Sequence, residues 1–171
     1  MKDSIRIGAD GWWPAAIRYD SPNFDCRPDP ADITLLVIHN ISLPGGCFGG
    51  PHVSDLFTGR VDYNADPSFA DLRGLKVSSH FFVRRDGRVI QYVSANDRAW
   101  HAGTSSFRGR EKCNDYSVGI ELERHIVGAF ELDADRGAAA ALPADRRPGP
   151  RGHRAGPQNG PRTVVRLELL C

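Results

Sequence analysis

The chain has 171 residues, of which 40% are hydrophobic and 25% are charged. This length suits one domain with a buried core and is short for two. Lysine plus arginine number 22 and aspartate plus glutamate number 21, so the net charge of +1 gives no argument for a nucleic-acid partner or an anionic membrane.

The N-terminal segment, residues 1–14, holds charges and two tryptophans but no apolar stretch, so we expect no secretory signal peptide. No segment approaches the length of a membrane span. The four cysteines, Cys26, Cys47, Cys113 and Cys171, show no Cys-x-x-Cys spacing. We therefore expect free thiols in a reducing cytoplasm, and neither disulfides nor a zinc–thiolate site.

An apolar run over residues 33–40 predicts the first core strand, and it carries His39 near its end. Residues 44–51 hold four glycines and two prolines, which indicates an irregular loop directly after this strand. Residues 53–57 and 67–75 are candidates for short helices.

Three further strands are predicted downstream. Residues 77–83 and 89–93 read as strands joined by the turn 85–88, whose Asp-Gly pair supplies the positive φ that a tight hairpin needs. Residues 116–122 form another apolar strand with a carboxylate inside it. Together with the first strand, these segments predict a sheet of at least four strands.

His39 and Glu121 are the candidate chemical residues, because each lies on a predicted core strand. Delivered to the same end of a sheet, they can supply a metal ligand and a general base. The alternative for His39 is a strand-end histidine bonded to the following loop, and for Glu121 a solvated glutamate, as we expect for Glu123. Apolar neighbours around Glu121 would raise the pKa of its carboxyl, which suits a base.

The composition changes after Glu123. Residues 124–171 hold eight arginines, five prolines, six glycines and no lysine, with Phe130 as the only aromatic residue. Residues 146–160 alternate proline, glycine and arginine, which cannot bury enough apolar surface to offset the loss of chain entropy. The pattern is typical of a disordered basic tail.

The region before that change closely resembles the cytosolic 1,6-anhydro-N-acetylmuramoyl-L-alanine amidases of cell-wall recycling, over about residues 12–123. Several blocks of four or more residues in order carry the resemblance. These blocks are residues 39–51, 56–59, 77–80, 84–87, 98–103 and 109–123.

The resemblance implies a zinc amidase, related to phage amidases and peptidoglycan-recognition domains, that cuts the amide between the lactyl group of muramic acid and L-alanine. It implies an α/β fold with a central mixed sheet flanked by helices. It also implies that His39 is a zinc ligand and Glu121 the catalytic glutamate. The other two family ligands are a histidine and an aspartate near the C-terminus.

No stretch of this chain carries those two ligands in frame. Residues 149–163, back-translated and read one base later, permit the family's ligand-bearing stretch in order, although the middle base of each shifted codon is free. Arg124 and His125 likewise permit Gly-Thr, which follows the catalytic strand in the family. We infer a frameshift close to codon 124.

Five more residues are implied by the resemblance to line the substrate groove. Asn40, Trp100 and His101 match groove positions, with core packing as the alternative for the tryptophan. Lys76 and Lys112 stand where the family more often has arginine, and can hold stem-peptide carboxylates without the bidentate fork of a guanidinium. Solvated surface charge is the alternative for each lysine.

We therefore predict an amidase domain over residues 1–123 and an aberrant tail over 124–171, without the C-terminal helix and the last ligand loop. The predicted function is zinc-dependent hydrolysis of anhydro-muropeptides by a cytoplasmic monomer, with no nucleic-acid or membrane partner. We expect this chain to bind zinc poorly. The alternatives are a non-catalytic muropeptide-binding remnant and an unstable product.

Overall fold

A computed structural model describes residues 6–124 together with the backbone of Val165–Leu167. The described helices are the α-helix α1, His52–Phe57, and two 3-10 turns, Pro67–Leu72 and Cys113–Tyr116. The strands are β1 Ile17–Arg18, β2 Phe24–Asp25, β3 Leu35–Ile41, β4 Phe81–Val83, β5 Val89–Gln91, β6 Arg98–Ala99, β7 Ser106–Phe107, β8 Arg110–Glu111, β9 Ser117–Glu123 and β10 Val165–Leu167.

The main sheet has the strand order β1-β5-β4-β9-β3-β10. Strand β9 runs parallel to both of its neighbours, β3 and β4, whereas β4 and β5 form an antiparallel hairpin. The sheet is therefore mixed, as the family resemblance implied. Strands β2 and β6 form a separate small pair, as do β7 and β8.

The four predicted strands are all present, with their bounds moved by one or two residues at β3, β5 and β9 and by four residues at the start of β4. Strand β4 begins at Phe81 and not at residue 77, because the backbone before it pairs elsewhere. The N–H of Ser78 donates to the carbonyl of Trp100 at 3.0 Å, which draws this stretch away from the sheet. The predicted hairpin turn is present, with Gly87 at a φ of 85° and the N–H of Arg84 donating to the carbonyl of Arg88.

Strands β3 and β9 present one well-buried face and one partly exposed face. Their side chains alternate between buried and half-buried along both strands, following the period of two of a pleated strand. The buried positions are Leu35, Val37 and His39 on β3, and Ser117, Gly119, Glu121 and Glu123 on β9. Chemistry-bearing side chains thus share a buried face with core residues.

Two apolar clusters cover the buried face. One contains Val53, Leu56 and Phe57 of α1, packed with Phe82 of β4 and Tyr92. The other contains Leu35 and Val37 of β3 with Cys113 and Tyr116. The predicted short helix at 53–57 is thus confirmed, and its apolar side is what fixes it to the sheet.

The disordered tail predicted for residues 124–171 lies outside the described residues, apart from Arg124 and the backbone of Val165–Leu167. Val165–Leu167 pairs antiparallel with β3. Cys26, Cys47 and Cys113 are free thiols, as expected. In the part of the chain that the structure describes, no helix has the length and apolar character needed to cross a bilayer.

Candidate active site

The parallel pairing of β3 and β9 brings His39 and Glu121 together. The two residues are direct partners in the register, so their side chains leave the same face of the sheet. Glu121 is also paired with Phe82 of β4, and therefore stands between an aromatic ring and an imidazole. His39 and Glu121 are both only 5% exposed. The sequence predicted both residues, and the structure places them side by side.

His101 lies beneath this pair. Its Nδ1 is 3.1 Å from Nε2 of His39, and its Nε2 is 3.3 Å from the hydroxyl of Ser117. Its ring crosses that of His39 at 69° with 5.2 Å between centroids. Both His101 and Ser117 are buried. We call His39, Glu121 and His101 the central site.

Burial keeps His101 neutral. It lowers the pKa of this imidazole well below its usual value of 6.5, and the nearby His80, His39 and Arg27 act in the same direction. The sequence placed His101 on the wall of a substrate groove. The structure instead encloses it, at 2% exposure, between the sheet and its neighbours.

His80 is a second enclosed histidine, and the backbone uses both of its nitrogens. Nδ1 accepts a hydrogen bond from the N–H of Gly119 at 2.9 Å, so the proton resides on Nε2, which donates to the carbonyl of Asp97 at 3.0 Å. Burial lowers the pKa of His80 to about 3, and the guanidinium of Arg27 adds to this effect. This geometry gives His80 a structural role, because it joins β9 to the segment before β6.

Glu123 is an anchor that the sequence did not reveal. The expectation of a solvated edge residue is wrong, because β9 lies between β3 and β4 and Glu123 is 7% exposed. One carboxylate oxygen accepts from the N–H of Gly49 at 2.6 Å, and the other accepts from the N–H of Arg85 at 3.0 Å. The carboxylate therefore ties the glycine-rich loop 44–51 to the sheet. The signal available in the sequence was the period of two along β9, which puts Glu123 on the same face as Ser117 and Glu121.

Two further predicted groove residues are Trp100, which follows β6, and Asn40, which lies on β3 of the main sheet. The backbone N–H of Trp100 donates to the hydroxyl of Ser78 at 3.0 Å. Trp100 is half-buried. Asn40 follows His39 on β3 and therefore lies on the opposite face of the sheet from His39.

Lys76 and Lys112 are both exposed. Lys112 precedes the 3-10 turn at Cys113 with a left-handed φ of 60°, and its N–H donates to the carbonyl of Ser105 at 2.8 Å. The contact of either lysine with a peptide carboxylate stays a prediction.

A zinc site with three protein ligands is not complete within the described residues. His39 offers the imidazole that zinc prefers. However, residues 6–124 contain no group of three or more histidine, cysteine, aspartate or glutamate side chains arranged to hold a metal ion. A catalytic zinc needs three such ligands and an open position, so residues 6–124 do not fit this metal alone.

The sequence matches one protein family over most of its length. Residues 29–148 match the family described as N-acetylmuramoyl-L-alanine amidase. The matched range extends past codon 124, and the inferred frameshift stays a prediction.

Individual relatives agree with that family. The chain is 58% identical over 114 residues to the 1,6-anhydro-N-acetylmuramyl-L-alanine amidase AmpD of Citrobacter freundii, covering 67% of this chain and 61% of the relative. It is also 58% identical over 103 residues to the protein of the same name from Haemophilus influenzae, covering 60% and 56%. The chain thus spans less than two thirds of the length of these curated relatives.

A solved structure supports the fold. The crystal structure of a selenomethionine AmpD derivative superposes with a TM-score of 0.68 at 55% sequence identity, covering 71% of this chain and 68% of that one. The α/β architecture with a central mixed sheet is therefore confirmed.

Proposed function

The chain belongs to the N-acetylmuramoyl-L-alanine amidase family, and from this we propose that its gene specifies an amidase acting on anhydro-muropeptides. The bond cleaved is the amide between the lactyl group of muramic acid and L-alanine. The names of the relatives support this substrate class. The proposed reaction takes place in the cytoplasm and requires no nucleic-acid or membrane partner, and the enzyme is proposed to be a monomer.

The observation that carries the proposal is the register of β3 and β9, which sets the buried Glu121 beside the buried His39. We assign Glu121 as the general base. It takes a proton from the attacking water as the water oxygen bonds to the amide carbon, and it passes that proton to the leaving nitrogen as the carbon–nitrogen bond breaks. Phe82, its other register partner, helps to exclude bulk water from the carboxylate.

His39 is proposed as the first of three zinc ligands. Zinc in such a site would act as a Lewis acid toward the amide carbonyl. The proposed second and third ligands, a histidine and an aspartate, are the ones lost by the frameshift. The chain as translated is therefore expected to bind zinc weakly and to hydrolyse muropeptide slowly or not at all.

The groove is proposed to use Trp100, Lys76 and Lys112, whereas Asn40, on the opposite face of β3 from His39, does not fit a groove beside His39. The indole of the half-buried Trp100 is proposed to offer an apolar face for sugar or peptide. Each exposed lysine offers an ammonium for a stem-peptide carboxylate. The enclosed position of His101 argues for a role other than lining the groove.

The test compares the chain as translated with the product of the same gene after the reading frame is restored beyond codon 124. Anhydro-muropeptide is incubated with each protein, and release of the stem peptide is followed by chromatography and mass spectrometry. We expect hydrolysis by the frame-restored protein and little by the translated chain. No hydrolysis by the frame-restored protein with zinc present would refute the proposed function, and full activity of the translated chain would refute the impairment.

A second candidate is a muropeptide-binding domain without catalysis. The incomplete ligand set within residues 6–124 favours it for the chain as translated. A calorimetric titration of the translated chain with anhydro-muropeptide, run beside the hydrolysis assay, separates the two. Binding without product indicates a binding domain. If neither binding nor hydrolysis is detected, and heating gives no cooperative unfolding transition, the chain is an unstable product.

A further inference from the structure

The most constrained side chain at the central site is His101, which is almost fully enclosed and yet contacts His39 directly. Its two ring nitrogens face two different side chains, with His39 Nε2 at 3.1 Å from Nδ1 and the Ser117 hydroxyl at 3.3 Å from Nε2. The imidazole therefore lies between a strand-end histidine and a buried serine at the start of β9.

Two features hold His101 in this orientation. Its backbone is clamped by Asn114, whose side-chain oxygen accepts from the N–H of His101 at 3.2 Å and from that of Ala102 at 2.9 Å. Its ring fills the space above Gly119, where a Cβ would come within 3.0 Å of three ring atoms. A glycine is required at this position because the imidazole occupies the place of a side chain.

The neighbouring His80 is held differently. Its nitrogens hydrogen-bond to the N–H of Gly119 and the carbonyl of Asp97, and its Nε2 also lies 3.0 Å from Nη2 of Arg27. His101 instead contacts the candidate reactive imidazole of His39 directly. This contact points to a function for His101 beyond packing.

We propose that His101 is a positioning residue that fixes the orientation and tautomer of His39. The hydroxyl of Ser117 accepts from Nε2–H of His101, which leaves Nδ1 of His101 as an acceptor. His39 then donates its Nε2–H to that acceptor and keeps the lone pair on its own Nδ1. The inference rests on the proposed function, since that function needs one nitrogen of His39 to offer its lone pair to a cation.

General chemistry supports this direction of the hydrogen bond. In a neutral imidazole one nitrogen donates and the other accepts, so the role of one nitrogen fixes that of the other; the hydroxyl of Ser117 can take either role, and the direction we propose follows from the need of His39 to donate its second N–H. Histidines that serve as ligands almost always donate their second N–H to a fixed acceptor. A buried imidazole aligned by Ser117, Asn114 and Gly119 provides such an acceptor for His39.

The test reads the tautomer of His39 by two-bond ¹H–¹⁵N correlation NMR on the full chain labelled at histidine. The His39 signals are assigned by their loss in His39→Gln. Three variants accompany the wild type: His101→Leu removes the acceptor, His101→Asn restores an acceptor oxygen near the position of Nδ1, and Ser117→Ala removes only the distal contact.

We expect His39 in the wild type to carry its proton on Nε2. The Leu variant should lose this single state and show both tautomers, the Asn variant should recover it, and Ser117→Ala should weaken it. A wild-type His39 protonated on Nδ1, or a Leu variant that folds and leaves the His39 signals unchanged, would overturn the proposal. If His101→Leu does not fold, the tautomer of His39 in the wild type and in His101→Asn decides whether the proposal is supported or overturned.

This readout is independent of turnover. If the frame-restored protein fails to hydrolyse muropeptide while His39 shows the expected tautomer in the translated chain, the proposed function fails and the positioning role stands. If the frame-restored protein hydrolyses muropeptide but the His101 variants leave the tautomer of His39 unchanged, the proposed function stands and the positioning role fails.

Discussion

The central site and the exposed lysines differ in how many constraints fix each residue. His39, Glu121 and His101 come from regular strands or from a clamped turn, and each is at most 5% exposed. Lys76 and Lys112 lie in loops and are exposed. The first group is fixed by sheet register and packing, whereas the second is fixed only by the local backbone.

Substitutions in the two groups are therefore expected to have effects of different size. A buried polar residue on the β3–β9 face has neighbours that cannot move away, so a change there is expected to alter the chemistry or the fold strongly. A solvated lysine has water as its alternative partner, and its loss is expected to change binding modestly. The predictions that follow test this contrast.

The largest effect is expected for Glu121→Gln in the frame-restored protein. The new amide would keep the shape of the side chain but could not take a proton from water, so kcat should fall by about 10²- to 10⁴-fold. Steady-state hydrolysis of anhydro-muropeptide measures this. The exposed Glu111 provides the matched control, since Glu111→Gln should leave kcat unchanged. Unchanged turnover in Glu121→Gln would remove Glu121 from the mechanism.

The next effect concerns acid stability. The pKa of His80 is about 3 in the folded protein, below its ordinary value of 6.5. Between these values the unfolded chain takes up a proton that the folded protein excludes. The stability contributed by neutral His80 is thus present above about pH 6.5 and is lost as the pH falls, by up to about 1.4 kcal/mol per pH unit.

Urea unfolding at a series of pH values from 7 to 4.5 measures this slope. His80→Gln should be less stable at pH 7, but its free energy of unfolding should decline less steeply as the pH falls. The reason is that the unfolded variant no longer takes up a proton at residue 80. His101 contributes with the same sign, so part of the slope should persist. An identical slope in wild type and variant would contradict the assignment.

Gly119→Ala should destabilise the fold by about 1–3 kcal/mol, because the new methyl group would overlap the ring of His101. Urea denaturation measures the change in free energy of unfolding. Gly50→Ala is the matched control, since a Cβ there meets only His52 at an ordinary 3.6 Å. Equal stability of the two variants would mean that the ring of His101 can move, and would weaken its proposed positioning role.

The sequence predicted the four main strands and the two residues at the centre of the sheet because these depend on local patterns, whereas the mixed strand directions were implied only by the family resemblance. Apolar runs identify β3 and β9, and the Asp-Gly pair identifies the hairpin. The resemblance then singled out His39 and Glu121. Their side-by-side placement needed the parallel register, which neither strand reveals alone.

The buried roles of His101 and Glu123 were missed for a physical reason. Each role depends on contacts across a large sequence separation: 62 residues between His39 and His101, and 74 between Gly49 and Glu123. Polar residues next to turns or strand ends read as solvated unless the covering element is known. For Glu123, the period of two along β9 indicates a shared face with Glu121. That face is recognised as buried only when β3 and β4 are known to flank β9.

The smallest effect is expected at the exposed lysines, and it is the sharpest test of the contrast. Lys112→Gln should change the free energy of unfolding by no more than about 0.5 kcal/mol, because the side chain is solvated. In the frame-restored protein it should raise KM by about two- to fivefold with kcat unchanged, as expected for an exposed ion pair with a stem-peptide carboxylate. Lys112→Arg should lower KM, since a guanidinium can form two hydrogen bonds to that carboxylate. A substrate with an amidated stem-peptide carboxylate is the control, because wild type and Lys112→Gln should then have equal KM. If Lys112→Gln leaves KM unchanged for the free acid as well, Lys112 is solvated surface charge, and substrate selection must come from better-fixed residues such as Trp100.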